Sequence, residues 1–245
     1  MPEIEGAGVA LHYEERGSGS PVLAIHGMAS DSSSWSDALD ALADAGARAI
    51  AFDRRGYARS GAPEPYVATT VQEQAQDATC VLDGLGAAPA LLVAEGFGAL
   101  VALELLVRRP DLVAGAALAD VPLFAFVPAA TEALAAQREM LEAALRAGGP
   151  AAALLAWLGE DAGAAGARVR GWQRGFFADY AGLASWSPSR RELRAIGVAV
   201  AFVTGPASAL YVVAASDAAA GLVPGSLRVV DGDVVGAAMA LLAPG

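Results

Sequence analysis

Three carboxylates stand at the ends of apolar runs that are typical of buried strands, and together they could perform acid–base chemistry. They are Glu95 at the end of "ALLVAE" (90–95), Asp120 at the end of "VAGAALAD" (113–120), and Asp233 just after "SLRVVDG" (226–232). Two carboxylates in one cavity can hold pKa values far apart, so that one serves as acid and the other as base. Each also has a structural interpretation. Glu95 could hydrogen-bond a neighbouring loop, Asp120 could cap the turn that follows it, and Asp233 could be a turn residue.

The charge of the chain excludes one large class of partners. The 245 residues carry 16 basic groups against 27 acidic ones, every basic residue is arginine, and the formal net charge is −11. An acidic surface of this kind repels phosphate backbones, so no nucleic-acid partner is expected. The length suits one large domain, with or without an inserted subdomain.

No cofactor and no metal are expected from the composition. The single cysteine, Cys80, cannot form an internal disulfide or a thiolate cluster, and the two histidines are too few for most metal sites. The stretch "GSGS" (17–20) comes before the first parallel strand and is typical of a hairpin turn rather than a phosphate loop. Apolar runs fall short of the roughly 18–20 residues that cross a bilayer. The acidic N-terminus lacks the basic region of a signal peptide, which favours a cytoplasmic protein.

The elements that must position the carboxylates alternate between strand and helix patterns. Short apolar runs predict buried strands, and amphipathic stretches between them predict helices. The predicted strands are 21–27, 47–56, 90–95, 113–122, 197–205 and 226–232, and the predicted helices are 31–46, 69–86, 97–109, 209–221 and a last one from 234. This spacing predicts an α/β fold with a mostly parallel central sheet and helices on both faces.

Residues 123–194 interrupt this alternation with helix patterns at 131–147 and 150–158 and an aromatic-rich stretch at 171–186. They predict a helical cap over the carboxyl edge of the sheet, where open α/β sheets bind ligands. The core domain would then comprise 1–122 and 195–245. Aromatic side chains are expected to line an apolar pocket under the cap, with helix core as the alternative. The aromatic residues expected at this pocket are Trp35, Trp157, Trp172, Phe176 and Tyr180.

Three stretches of the chain resemble the α/β-hydrolase superfamily, in its single-chain form with a helical cap. "LAIHGMASDSSSW" (23–35) is similar to the family's His-Gly turn, and "AFDRRGYARS" (51–60) is similar to its Asp-x-Arg-Gly-x-x-x-Ser segment. "VAEGFGALVALELLVRRPDLVAGAALAD" (93–120) is similar to the nucleophile elbow, its helix and the next strand. The resemblance implies the α/β-hydrolase fold over nearly the whole chain. It also implies that Asp53 and Arg54 brace loops through charge-assisted hydrogen bonds.

In the resembled family a catalytic triad occupies three positions, and the resemblance implies that all three are replaced here. The five elbow residues are Ala94, Glu95, Gly96, Phe97 and Gly98, so a glycine stands where the family has its nucleophile. Ser208 stands at the family's acid position and Asp233 at its histidine position. A glycine cannot attack a carbonyl, so a conventional Ser-His-Asp hydrolase is not expected.

Other parts of the family's site are expected to persist. The backbone N–H groups of Met28 and Phe97 map to the oxyanion hole, and the start of a helix at Phe97 adds its positive dipole end. His26 lies in the His-Gly turn, where the family's residue is structural or borders this hole, and it is counted with Asp120 among the expected pocket residues. By position, Asp233 is the first candidate for a catalytic acid or base, and Glu95 is the second.

These features favour a non-hydrolytic enzyme, of isomerase, cyclase or lyase type, acting on a hydrophobic small molecule under the cap. A second hypothesis is a non-catalytic protein that binds a ligand or a partner. A third is a hydrolase that uses a carboxylate-activated water. The expected partner is a hydrophobic small molecule, without nucleic acid or a membrane span, and the chain is expected to be a monomer or a homodimer.

Overall fold

The computed structural model describes residues 2–128, 130–159, 168–183 and 185–243. Its centre is an eight-stranded sheet in the order β1-β2-β4-β3-β5-β6-β7-β8. The strands are β1 (Glu3–Glu5), β2 (Ala10–Gly17), β3 (Ser20–Ile25), β4 (Ala47–Phe52), β5 (Ala90–Glu95), β6 (Val113–Ala119), β7 (Ala199–Thr204) and β8 (Leu227–Val230). Strands β3 to β8 run parallel, while β1 and β2 are antiparallel additions at one edge. The predicted mostly parallel sheet is confirmed.

Helices cover both faces of the sheet, as the alternating pattern predicted. They are α1 (Ser36–Asp44), α2 (Val71–Gly84), α3 (Phe97–Arg108), α4 (Ala130–Leu158), α5 (Val169–Gly182), α6 (Arg190–Arg194), α7 (Leu210–Ala220) and α8 (Val234–Leu242). Along β5 the side chains alternate between the two faces. Leu92 packs in the cluster under α2 and α3, and its neighbour Val93 packs in the cluster under α1 and α8. Both faces of the central strands are therefore buried, which explains their continuous apolar runs.

Several predicted boundaries change in the structure for local reasons. The helix predicted over 31–46 begins as a 3-10 turn at Ser32–Trp35 and becomes α-helical only at Ser36. The two helices predicted at 131–147 and 150–158 form the single element α4, which kinks where Gly149 takes φ 75° before Pro150. Strands β1 and β2 lack a clear alternating pattern and were not predicted.

The prediction of a hairpin at "GSGS" is wrong. The turn joins β2 to β3, but β4 lies between these two strands and pairs with both of them. The strands on either side of the turn are therefore next-nearest neighbours in the sheet and share no ladder.

Helices α4, α5 and α6 follow β6 and precede β7, so they fall within the stretch predicted as a cap. Helices α4 and α5 contribute to a separate apolar cluster, in which Leu154, Trp172 and Phe176 pack against Tyr57 from the loop after β4. The cap boundaries at 123 and 194 stay a prediction. None of the described helices is both long and apolar enough to cross a membrane.

Candidate functional site

The turn between β5 and α3 has the strained geometry of an elbow. Gly96 lies at its apex with φ 52° and ψ −122°, a combination that favours glycine because a Cβ atom would be strained there. Two residues later, a Cβ atom on Gly98 would collide with the carbonyl oxygens of Ile25 and His26. The sharp turn and the close approach to β3 therefore explain why both positions hold glycine.

The space above the turn apex is open. A Cβ atom built on Gly96 would meet the Cα atom of Gly27 at 3.8 Å as its nearest neighbour, which is ordinary van der Waals contact. A cavity of about 280 Å³ occupies this space. Its floor is formed by Gly27, Met28, Glu95, Gly96, Phe97 and Asp120. The opposite wall includes Gln137 and Trp157 of α4 and Tyr211 of α7.

Glu95 is the last residue of β5, and its half-buried side chain reaches the floor of the cavity. One carboxylate oxygen, Oε1, accepts a long hydrogen bond from the backbone N–H of Gly27 at 3.4 Å. Burial raises the pKa of Glu95 and the nearby Asp120 charge raises it further, while the Gly27 N–H and the Arg54 charge oppose the shift. Glu95 is therefore both the hydrogen-bond partner of a loop and a carboxylate that can hold or release a proton inside the cavity.

Asp120 follows β6 and is held in an unusual conformation. Its φ is 48°, which is uncommon for a residue other than glycine, and its N–H donates to the Val203 carbonyl at 3.0 Å. Its Oδ1 atom accepts a hydrogen bond of 2.5 Å from the Ser208 hydroxyl, whose oxygen accepts from the Gly205 N–H at 2.9 Å. The loops after β6 and β7 are thus joined, and they fix the second carboxylate at the cavity.

Two residues were expected to supply backbone donors at the cavity. Met28 and Phe97 both line it. Phe97 is the first residue of α3, so its N–H has no acceptor within the helix and points out at the positive end of the dipole. An oxygen that gains negative charge in the cavity would be favoured at this end.

His26 does not line the cavity, and its geometry makes it a structural residue. It is fully buried, its Nδ1 lies 2.8 Å from the Gly27 carbonyl, and its Nε2 accepts the Arg54 N–H at 2.9 Å. Burial, with the adjacent Arg54 charge, lowers the pKa of His26 to about 3. The ring therefore stays neutral, with its proton on Nδ1, and braces the loop that carries Met28.

The model of the α/β hydrolase fold family matches residues 20–178, which is more than half of the chain. The chain belongs to the α/β-hydrolase fold family. An epoxide hydrolase from Caballeronia sordidicola is 39% identical over 109 residues, so the match covers 44% of this chain and only 33% of that protein. The segment that this chain shares with that relative is thus a third of the relative's length.

Solved structures of this family resemble the chain over nearly its whole length. A hydrolase from Pseudomonas aeruginosa PA01 superposes with a TM-score of 0.80 at 20% identity, covering 99% of this chain and 98% of that one. The enol-lactonase from Burkholderia xenovorans LB400 superposes with a TM-score of 0.71 at 21% identity, covering 96% and 93%. At such identities the likeness shows the hydrolase fold alone.

Within this hydrolase fold, Asp233 is absent from the described cavity lining. It is exposed and is the N-cap of α8, where Oδ1 accepts the Gly236 N–H at 2.6 Å. Its position in the chain made it the first candidate acid or base, but its side chain satisfies a helix terminus instead. This geometry agrees better with the structural interpretation of Asp233, as a residue of the turn before α8, than with an acid or base.

We therefore expect Asp233→Ala to lower the free energy of unfolding by about 1 kcal/mol, the usual cost of a lost N-cap. Turnover should be unchanged, since the side chain does not reach the cavity floor. Urea unfolding and kcat/KM, measured on the same preparation, check both statements. Asp233→Asn is the matched control, because asparagine caps a helix about as well as aspartate. A loss of turnover in both variants, with stability intact in Asp233→Asn, would return Asp233 to the catalytic site.

The predicted aromatic residues divide into two groups. Trp157 lines the cavity above Gly96, and Tyr180 lines a second cavity beside it. Trp35 is buried against α1 on the far face of the sheet. Trp172 and Phe176 are buried in the cluster around Tyr57, and the Trp172 indole N–H donates to Asp31 at 2.7 Å. For these three residues the helix-core alternative describes the structure, because they face packed elements rather than open space.

Sequence reasoning missed Gln137, Leu183 and Tyr211, all of which line the cavity. Gln137 and Leu183 stand in helical or turn sequences without a motif, so only the packing of α4 and α5 reveals them. Tyr211 could have been suspected, because it follows the predicted acid-position loop after β7. Among the described residues, no three His, Cys, Asp or Glu side chains converge as the ligands of a metal would.

Proposed function

We propose that this protein is a cofactor-independent hydrolase of uncharged esters, lactones or epoxides, in which Glu95 activates a water without a covalent intermediate. The observation that carries the proposal is the open space over Gly96, beside a carboxylate whose pKa burial raises. A water molecule can stand where a nucleophilic side chain would otherwise project. Glu95, Gly96 and Gly27 all border that space.

The proposed step balances with one water and one substrate. With an epoxide, the water oxygen bonds to a ring carbon while Glu95 takes the water proton, the C–O bond of the ring breaks, and the released oxygen receives the proton from Glu95, which gives a diol. With an ester or lactone, the step passes through a tetrahedral intermediate. The Glu95 carboxylate takes a proton from water while the water oxygen bonds to the carbonyl carbon, and the carbonyl electron pair moves to its oxygen. The N–H groups of Met28 and Phe97 stabilise that oxyanion. The intermediate then expels the alcohol oxygen, which receives the proton from Glu95, and an acid and an alcohol remain. General-base catalysis typically contributes about 10²–10⁴-fold, and each oxyanion donor about 3–4 kcal/mol.

Asp120 supports this role of Glu95 from the same cavity floor. Its contact with Ser208 holds it as a fixed carboxylate, and its charge contributes to the raised pKa of Glu95. A base with a pKa nearer to neutrality is a better match for catalysis at physiological pH. Two carboxylates on the floor also disfavour anionic substrates, so an uncharged substrate is proposed.

The choice of hydrolysis over isomerisation rests on the relatives. Relatives and structural neighbours are named epoxide hydrolase and enol-lactonase, which favours water as the co-substrate. The interior of about 280 Å³ lies at the small end of ligand sites, which favours a compact reacting group.

A proton-transfer enzyme of isomerase, cyclase or lyase type is the second candidate. The observation that favours it is the pair Glu95 and Asp120 on one cavity floor with backbone donors between them, which suits removal of a proton next to a carbonyl. Deuterium exchange at the carbon next to the carbonyl of a ketone, followed by NMR, would report this activity without hydrolysis. A protein that only binds its ligand would show neither exchange nor hydrolysis.

The origin of the product oxygen tests the proposed hydrolysis. An epoxide such as styrene oxide is mixed with excess enzyme in water labelled with a heavy oxygen isotope, and the diol from a single turnover is analysed by mass spectrometry. Direct attack by water predicts that the first diol carries the label. Attack by Glu95 or Asp120 would leave the first diol unlabelled, because its new oxygen would come from the carboxylate.

Two outcomes contradict the proposal. An unlabelled first diol would show that a carboxylate attacks the substrate and forms a covalent ester, instead of activating a water. Absence of turnover across a panel of esters, lactones and epoxides removes hydrolysis altogether and leaves the proton-transfer enzyme or the binding protein.

A further inference from the structure

A second cavity of about 550 Å³ adjoins the catalytic cavity. The two share Pro122, Phe124 and Leu183 in their walls. Resting on the proposed function, we infer that this second cavity binds an uncharged hydrocarbon chain of the substrate, while the reacting group lies over Gly96. The substrate class is thereby narrowed to esters, lactones or epoxides that carry a flexible apolar chain.

The lining of the second cavity is suited to a hydrocarbon. Leu123 and Leu134 contribute aliphatic surface, and Trp186 contributes a buried indole ring. The indole N–H of Trp186 donates to Glu104 at 2.6 Å, away from the cavity, so its polar group is already satisfied. Binding is favourable when a hydrocarbon chain covers apolar surface of this kind, because both the chain and the surface are then removed from water.

The one charge in the described lining does not call for a charged chain end. Arg138 stands at the solvent end of the cavity with a largely exposed side chain. Its Nε atom already pairs with Glu142 Oε1 at 2.7 Å, one turn along α4. A terminal carboxylate would have to compete with this partner, so a neutral chain fits better.

The continuity between the cavities sets the direction of the chain. Phe124 and Leu183, both half-buried, form the shared wall, with their side chains bordering the reacting group on one side and the chain on the other. A chain attached to the reacting group therefore passes these two side chains before it meets Leu134 and Trp186. A compact substrate would leave the second cavity without a ligand atom and lose this contact area.

Methyl ketones test this inference without any need for turnover. Their carbonyl resembles the ester group but is not hydrolysed, and calorimetry gives their dissociation constants. Each methylene that leaves water contributes about a threefold to fourfold gain in affinity. A ten-carbon methyl ketone has four more methylenes than a six-carbon one and would bind about 80- to 250-fold more tightly if all four left water. Even two buried methylenes give about a tenfold difference, which is the smallest gain expected.

A variant that fills the second cavity should abolish this gain. Ala135 lines the cavity from α4, while Ala136 is equally exposed on the same helix and is absent from the lining. Ala135→Trp is expected to bind both ketones with similar affinity, and Ala136→Trp is the matched control that keeps the tenfold difference. Ser187→Phe, which fills the cavity from the segment before α6, is the second filling variant if Ala135→Trp does not fold.

The results separate this inference from the proposed function. Equal affinity of the wild type for both ketones, or an undiminished difference in the filled variants, overturns the chain site. Preference for the long ketone without hydrolysis of any ester, lactone or epoxide supports the chain site and contradicts the hydrolase.

Discussion

Replacing Glu95 by glutamine is expected to lower kcat/KM at least about a hundredfold, the lower end of what general-base catalysis contributes. Glutamine keeps the size of the side chain and an oxygen that can accept from the Gly27 N–H, which lies 3.4 Å from Oε1. The substitution therefore removes the proton acceptor while the cavity floor keeps its shape. Initial rates on the best ester or epoxide, compared with those of the wild type, measure the loss.

The pH profile gives the same residue a second signature. The base must be deprotonated, and burial beside Asp120 raises the pKa of Glu95, so kcat/KM should rise with pH through a midpoint above the ordinary glutamate value. Asp120→Asn removes the neighbouring negative charge, and the midpoint should then move to lower pH. The Ser208 hydroxyl can still donate to the amide oxygen of the new side chain, so the loop geometry is kept.

An exposed glutamate provides the control for these measurements. Glu132 lies in the first turn of α4, outside the described cavity lining, and Glu132→Gln should leave both the rate and the pH midpoint unchanged. Retention of kcat/KM within about threefold in Glu95→Gln would rule out Glu95 as the general base. A midpoint that does not move in Asp120→Asn would show that the two carboxylates are uncoupled.

The central sheet could be predicted from sequence because its signals are local. Strand β5 reads as an unbroken apolar run from Ala90 to Ala94, and α3 follows after one glycine, so both elements and the turn between them lie within a few residues. The family resemblance, rather than this local pattern, pointed to Met28 and Phe97, and both line the cavity. Strands β1 and β2 were not predicted. β1 is the edge strand of the sheet and β2 lies next to it, and half-exposed residues there weaken the alternating pattern.

The cavity walls could not be predicted in the same way, because they depend on contacts distant in sequence. Trp157 lines the cavity, whereas Phe176 is buried in the cluster around Tyr57. Both are aromatic residues of neighbouring helices, and their ring centroids lie only 5.2 Å apart. Only the crossing of α4 and α5 decides which ring is left uncovered. Asp233 illustrates the opposite case: its position in the chain pointed to chemistry, while in the structure its carboxylate caps α8, so its catalytic role stays a prediction.

Asp179→Ala is expected to lower the free energy of unfolding by about 3–5 kcal/mol, because it leaves a buried arginine without its counter-charge. Asp179 on α5 and Arg54 after β4 are both fully buried, and two carboxylate–guanidinium bonds join them at 2.6 and 3.1 Å. Tyr57 and Gln74 donate further hydrogen bonds to the same carboxylate, at 2.7 and 3.0 Å. Urea unfolding of the variant and the wild type measures the change.

Asp111→Ala is the comparison for an exposed ion pair. Asp111 pairs with Arg109, two residues away, and both side chains are exposed to solvent. Exposed pairs are screened by solvent, so no measurable change in stability is expected there. Asp179→Asn keeps the shape of the buried side chain and should lose less than alanine does. A loss below about 1 kcal/mol in Asp179→Ala would mean that water or a neighbouring group compensates Arg54.

The same substitution should also slow catalysis in the molecules that remain folded. Arg54 donates to the carbonyl oxygens of His26 and Gly27 at 2.9 and 2.8 Å, so it holds the loop that presents Met28 to the cavity. When Asp179 is removed, the guanidinium loses two of the bonds that fix its position, and the loop loses its brace. Typical domains unfold at a cost of only about 5–15 kcal/mol, so leaving Arg54 unpaired would remove a large fraction of the stability. The same buried pair connects α5 to the cavity floor and helps to align an oxyanion donor. We expect kcat to fall while the affinity for a methyl ketone changes less, because the apolar wall residues Phe124, Trp157 and Leu183 lie outside this loop.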